Sequence, residues 1–102
     1  MHLVNPLKNS GGSEWRTIEM YRLLRDTCDV RVWSFGAASP RMASEAPLNT
    51  IDGAQGRFPR GGCLVIVGAY FSLGKWVLEA KPDRIVLVYN IAHLDWSATV
   101  RA

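Results

Sequence analysis

The sequence predicts an α/β fold built on a parallel sheet of four or five strands, with helices on both faces. Two observations carry this. Strand-like runs alternate with helix-period segments in the order β-α-β, a loop holding a weak strand, then β-α-β; such alternation builds parallel sheets with helical crossovers. The later runs, Cys63 to Gly68 and Arg84 to Tyr89, are apolar at nearly every position, as strands covered on both faces are. Right-handed crossovers then set the strand order 3-2-1-4-5.

Residues 1–4 form the first short strand, and Asn5-Pro6 ends it because proline has no ladder donor. The loop Asn5 to Glu14 closes on Gly11-Gly12. Ser10 or Ser13 is placed to cap the helix that follows. From Trp15 to Leu24, the apolar residues Trp15, Ile18, Tyr21 and Leu24 share one face, with Met20 and Leu23 beside them. Asp26 to Asp29 breaks the helix. Val30 to Phe35 alternates with period two and reads as the second strand.

From Ala37 to Gly62 the pairs Ser39-Pro40, Ala46-Pro47, Asp52-Gly53, Phe58-Pro59 and Gly61-Gly62 read as loop punctuation. Leu48 to Ile51 is a candidate short edge strand within it. Cys63 to Gly68 is the next strand, Ser72 to Ala80 a helix with Leu73, Trp76, Val77 and Ala80 on one face, and Arg84 to Tyr89 a fully buried strand. A short helix is expected over Ser97 to Val100.

Bulk properties narrow the function classes. With 102 residues the chain is one domain, residues 1–102, and its 48% hydrophobic and 21% charged content is that of a globular protein. The net charge of +3 is scattered, without a basic run, so no nucleic-acid footprint is read. A mildly basic exterior suits an anionic substrate or peripheral contact with a membrane surface, and equally a solvated exterior. Cys28 and Cys63 lack metal-ligand spacing; Cys63 is expected to be a buried thiol, and this usage suits a reducing compartment. Met1 leads almost directly into strand-like sequence, and no apolar run approaches the roughly 20 residues of a membrane span. The expected localisation is cytoplasmic.

The strand order places the carboxyl ends of the first and fourth strands side by side, where winding reverses. Asn5 to Gly12, Gly68 to Phe71 and Asn90 to Asp95 therefore converge on one crevice of a Rossmann-like sheet. Gly11 and Gly12 either let the backbone approach a ligand or make a tight strand-to-helix turn. Glu14 is either a cleft contact or a first-turn charge favoured by the helix dipole. Lys8 and Asn9 offer groups to phosphate or sugar hydroxyls, or are simply solvated. Tyr70 and Phe71 are placed to stack on a ligand ring, or pack beneath the loop. Asn90 lines the same edge. His93 is the one candidate general acid or base, with a structural histidine the alternative; Asp95 better suits a helix cap. Trp15, Trp33, Trp76 and Trp96 read as core or interface residues. The loop lacks the Gly-x-Gly-x-x-Gly of dinucleotide oxidoreductases. No metal-ligand cluster or nucleophile triad is present in the sequence pattern.

The opening strand, Gly11-Gly12-Ser13-Glu14 leading into Trp15–Leu24, then Val30-Arg31-Val32-Trp33, resembles the start of a GT-B glycosyltransferase, more narrowly the large group 1 family of nucleotide-sugar enzymes. Val86-Leu87-Val88-Tyr89-Asn90-Ile91-Ala92-His93 resembles that family's later strand, which ends near a cleft-facing histidine. The resemblance implies an amino-terminal, acceptor-side domain. The whole enzyme would transfer a sugar from a nucleotide-sugar donor to a carbohydrate or lipid-linked acceptor, without metal or other cofactor. It assigns His93 to catalysis, and Gly11, Gly12, Glu14, Asn9, Tyr70 and Asn90 to substrate. Two departures stand: no part of the chain supplies the family's carboxyl-terminal donor-binding domain, and His93 lies three residues past Asn90. By itself the chain is then expected to be inactive. The alternative from another class is a free-standing flavodoxin-like binding or regulatory module using the same crevice without catalysis.

Overall fold

The computed structural model describes residues 1–8, 11–68 and 75–88. Along the chain these form β1 (His2–Asn5), α1 (Gly12–Leu24), β2 (Arg31–Ser34), α2 (Pro40–Ala43), β3 (Leu48–Thr50), a 3-10 turn (Gly53–Gln55), β4 (Cys63–Val67), α3 (Trp76–Ala80) and β5 (Arg84–Val88). The five strands pair in parallel in the order β3-β2-β1-β4-β5. This is the order the sequence predicts.

Register divides the core in two. Leu3 lies level with Val32 and Val65, and these residues join Val67, Ile18 of α1 and Met42 of α2 on the first face. Val4, one residue on, points the other way, as period two requires. It joins Leu64, Ile66, Ile51, Phe58, Trp76 and Ala80 on the second face. Helices therefore cover both faces, α1 and α2 on one and α3 on the other. Each fully buried aliphatic side chain contributes about 1.5–3 kcal/mol, and Leu3, Val4, Ile18 and Val32 are all wholly buried.

Several local expectations are corrected. α1 begins at Gly12, so Ser13 lies inside the helix and is no cap, its hydroxyl donating to Glu14 Oε2, while Glu14 stands in the first turn as expected. Ser10 lies outside the described residues. Leu23 points to solvent, because Thr17 and Ile18 set the buried stripe. The stretch 37–62 is not all loop. Ser39 Oγ accepts from Met42 N and Pro40 stands at the first helical position, so α2 forms where the sequence reads as a break. Cys63 is half-buried and Cys28 exposed.

The largest correction is β5. Its residues read as a fully buried strand, yet Ile85, Val86 and Leu87 are 49%, 37% and 49% exposed. The strand pairs only with β4 among the described residues, so one side of its ladder and much of both faces lack cover. The expected helix from Ser72 is described only as Trp76–Ala80, and the short helix over 97–100 lies outside the described residues. Among the described residues, no helix is long and apolar enough to cross a membrane.

Candidate functional site

In an open parallel sheet, ligands bind outside the carboxyl ends of strands where winding reverses. Here that place is the junction of β1 and β4. β1 ends at Asn5, which is wholly buried although polar. Its Nδ2 donates to the Val67 carbonyl at 2.8 Å, tying the end of β1 to the end of β4. Its Oδ1 accepts from Leu7 N at 2.8 Å, an Asx turn that swings the chain off the sheet. Its backbone carbonyl accepts from Phe35 N at 3.0 Å, joining β2. One side chain thus fixes the floor of the crevice.

The loop beyond is held under strain. Leu7 is buried with φ of 54°, a left-handed conformation unusual for a branched residue, and its carbonyl accepts from Ser39 N at 2.8 Å. Gly68, at φ of 101°, ends β4 in a conformation suited to glycine, with its N–H donating to the Val88 carbonyl at 2.6 Å. Lys8 is exposed beside Gly36.

Gly11 and Gly12 are both exposed. Gly11 is the N-cap of α1, at φ of −84° and ψ of −174°, and carries no side-chain cap. That conformation is open to any residue, so glycine is not required there by backbone geometry. What the two glycines leave is bare backbone. A Cβ on Gly12 would meet nothing within 4 Å, and one on Gly11 would lie 2.9 Å from Glu14 Oε2. The Glu14 carboxylate therefore folds back over the start of the helix, steadied by the Ser13 hydroxyl at 3.2 Å.

This placement changes the chemistry the loop offers. A helix N-terminus with free N–H groups attracts anions, but here a carboxylate already stands over it. A phosphate would meet that charge at close range. A polyol would not: its hydroxyls can donate to Glu14 and accept from backbone N–H groups. The geometry favours a neutral, hydroxyl-rich ligand over a phosphate cradle.

Gly11, Gly12 and Glu14 are thus brought together at one helix end. Asn9, Tyr70, Phe71, Asn90, His93 and Asp95 lie outside the described residues. Asn5 was not legible as the organiser of the edge, because Pro6 alone accounts for the strand ending. The signal was an Asx residue two positions before a buried leucine. Among the described residues, no group of three or more His, Cys, Asp or Glu side chains could hold a metal ion. No protein-family model, curated protein or solved structure matches the chain, so the functional reading rests on this geometry and on the sequence motifs.

Proposed function

We propose that this chain is the acceptor-side, amino-terminal domain of a GT-B type glycosyltransferase. The complete enzyme moves a sugar from a nucleotide-sugar donor to a carbohydrate or lipid-linked acceptor. The observation that carries the reading is the Glu14 carboxylate standing over the exposed Gly11-Gly12 turn at the switch point of the sheet. A carboxylate beside free backbone N–H groups suits acceptor hydroxyls and disfavours the donor's diphosphate. The donor accordingly belongs to a second domain, whose basic groups and helix dipoles neutralise the leaving diphosphate. In this scheme Glu14 orients an acceptor hydroxyl, Asn9 and Asn90 add polar contacts, and Tyr70 stacks on the acceptor ring. His93 takes or gives the proton at the reacting oxygen.

The test is a pair of titrations of the chain followed by amide NMR. Oligosaccharide acceptors are expected to shift the Gly11, Gly12 and Glu14 amides, and Glu14→Gln to weaken that response by about tenfold. UDP- and GDP-sugars are expected to leave these amides unmoved. Tight nucleotide-sugar binding by this chain, or indifference of the helix start to every glycan tried, would sink the proposal.

A further inference from the structure

We infer that an open depression on the second face of the sheet, at β2 and β3, binds a small ligand bearing a carboxylate on a flat ring. The depression is about 510 Å³ and is lined by Trp33, Leu48, Asn49, Thr50, Arg57 and Phe58, with Gly56 at its rim. That size falls within the usual range of ligand pockets. It lies apart from the β1–β4 crevice and does not depend on the function proposed there.

The fold itself leaves this space. A parallel crossover usually carries a helix that covers the sheet, but the link from β3 to β4 forms only the 3-10 turn Gly53–Gln55 among its residues. Ile51 and Phe58 from this link pack with Val4, Leu64 and Ile66, which leaves β2 and β3 bare beside them. The wall is rigid. Asp52 and Arg57 exchange backbone hydrogen bonds of 2.7 and 2.9 Å, Asp52 Oδ1 caps the turn at Gln55 N, and Gly56 supplies the left-handed φ of 70° that closes it.

The lining selects the ligand. Trp33 is fixed by its indole N–H, which donates to His2 Nδ1 at 3.2 Å, so an aromatic surface is held ready for a flat ring. Arg57 is exposed, and its guanidinium has no ion-pair or hydrogen-bond partner among the described residues. The carboxylate nearest in sequence, Asp52, is engaged by the turn, and no acidic residue lines the depression. A guanidinium fork matches a carboxylate. The Asn49 amide makes only a long 3.5 Å contact to the Val32 carbonyl and is free to add a second polar contact. Arg60, stacked on Phe58 at 4.1 Å, keeps positive charge behind the wall. The exposed polar groups of Asn49 and Arg57 fit a small charged ligand better than the apolar face of a docked helix.

Sodium benzoate and sodium glucuronate serve as probes, titrated separately into the chain and followed by NMR at the Trp33 indole N–H, the Asn49 side-chain amide and the Arg57 amide. Saturating shifts at these groups are expected with benzoate, whose flat ring stacks on Trp33, and not with glucuronate, whose ring is puckered. Arg57→Ala is expected to weaken binding by about tenfold, with an unchanged urea midpoint in the free variant reporting an intact fold. Four outcomes overturn the inference: no saturation with benzoate, an equal response to glucuronate, equal shifts with sodium chloride at matched ionic strength, or unchanged affinity in Arg57→Ala.

Discussion

Asn5 and His2 stand at opposite ends of β1, and each ties the strand to its neighbours through a side chain. Removing the Asn5 amide deletes two 2.8 Å hydrogen bonds from a wholly buried position. Asn5→Ala is expected to cost about 2–3 kcal/mol in urea unfolding. Asn5→Asp keeps an acceptor for Leu7 N but turns a carboxylate toward the Val67 carbonyl. That variant is expected to recover part of its lost stability in acid, where the protonated side chain donates again. At the other end, His2 Nδ1 accepts the Trp33 indole hydrogen, which places the histidine's proton on Nε2. Burial lowers the His2 pKa below 6.5, helped by the chain's amino group and Arg31 and opposed by a hydrogen bond to the Arg60 backbone and by Asp29. A depressed folded pKa means the unfolded chain takes up the proton first. The His2 contribution is therefore complete above pH 6.5 and is lost as pH falls through the lowered folded value. His2→Gln is expected to flatten the fall in urea midpoint between pH 7 and pH 5; an unchanged slope would show that other groups set it. Neither role is legible from composition, since a strand-borne Asn or His reads equally well as solvated.

At the scale of elements, α3 is the most dependent on one side chain. Trp76 is 5% exposed and packs with Phe35 and Phe58, each at a ring separation of 6.1 Å. Its indole nitrogen is buried without a hydrogen-bond partner among the described residues. The ring is thus held by packing, against the cost of a stranded donor. Trp76→Phe is expected to fall within about 1 kcal/mol of the parent, because the lost packing is offset by removal of the orphan N–H. Trp76→Ala is expected to cost about 3–5 kcal/mol. Urea unfolding of the two variants separates these effects, and a Phe variant as unstable as the Ala variant would mean that the indole nitrogen is satisfied. The elements themselves were largely readable. α1 shows its stripe through Ile18, and β4 its continuous apolar run. α2 is hidden in the sequence because Ser39-Pro40 reads equally well as loop punctuation and as the start of a helix. The first residues of α1 are less legible, because Gly12 and Ser13 carry no apolar side chain to extend the stripe.

For the molecule as a whole, topology was legible and cover was not. Strand order follows from handedness and alternation, which are local and chiral constraints. How much chain lies over a strand is a property of everything packed around it, and the apolar run Ile85 to Leu87 carries no information on that. The site divides in the same way. The Gly11-Gly12 turn was visible as a motif, while the depression at Trp33 and Arg57 arises from a crossover that forms no helix. That absence is a three-dimensional outcome. The Asn5 tie also bears on the order in which the molecule assembles. Its partner on β4 is 62 residues away, whereas β1, β2 and β3 pair along consecutive stretches of chain. Contacts between distant residues carry the larger loop-closure entropy and slow folding. The half-sheet β1-β2-β3 can thus collapse while the Asn5 amide still waits for its carbonyl, and only the docking of β4 sets the Asx turn and the loop beyond it. Late closure of the crevice is therefore expected, and a chain halted before β4 lacks the carbonyl that holds the Asn5 side chain in place.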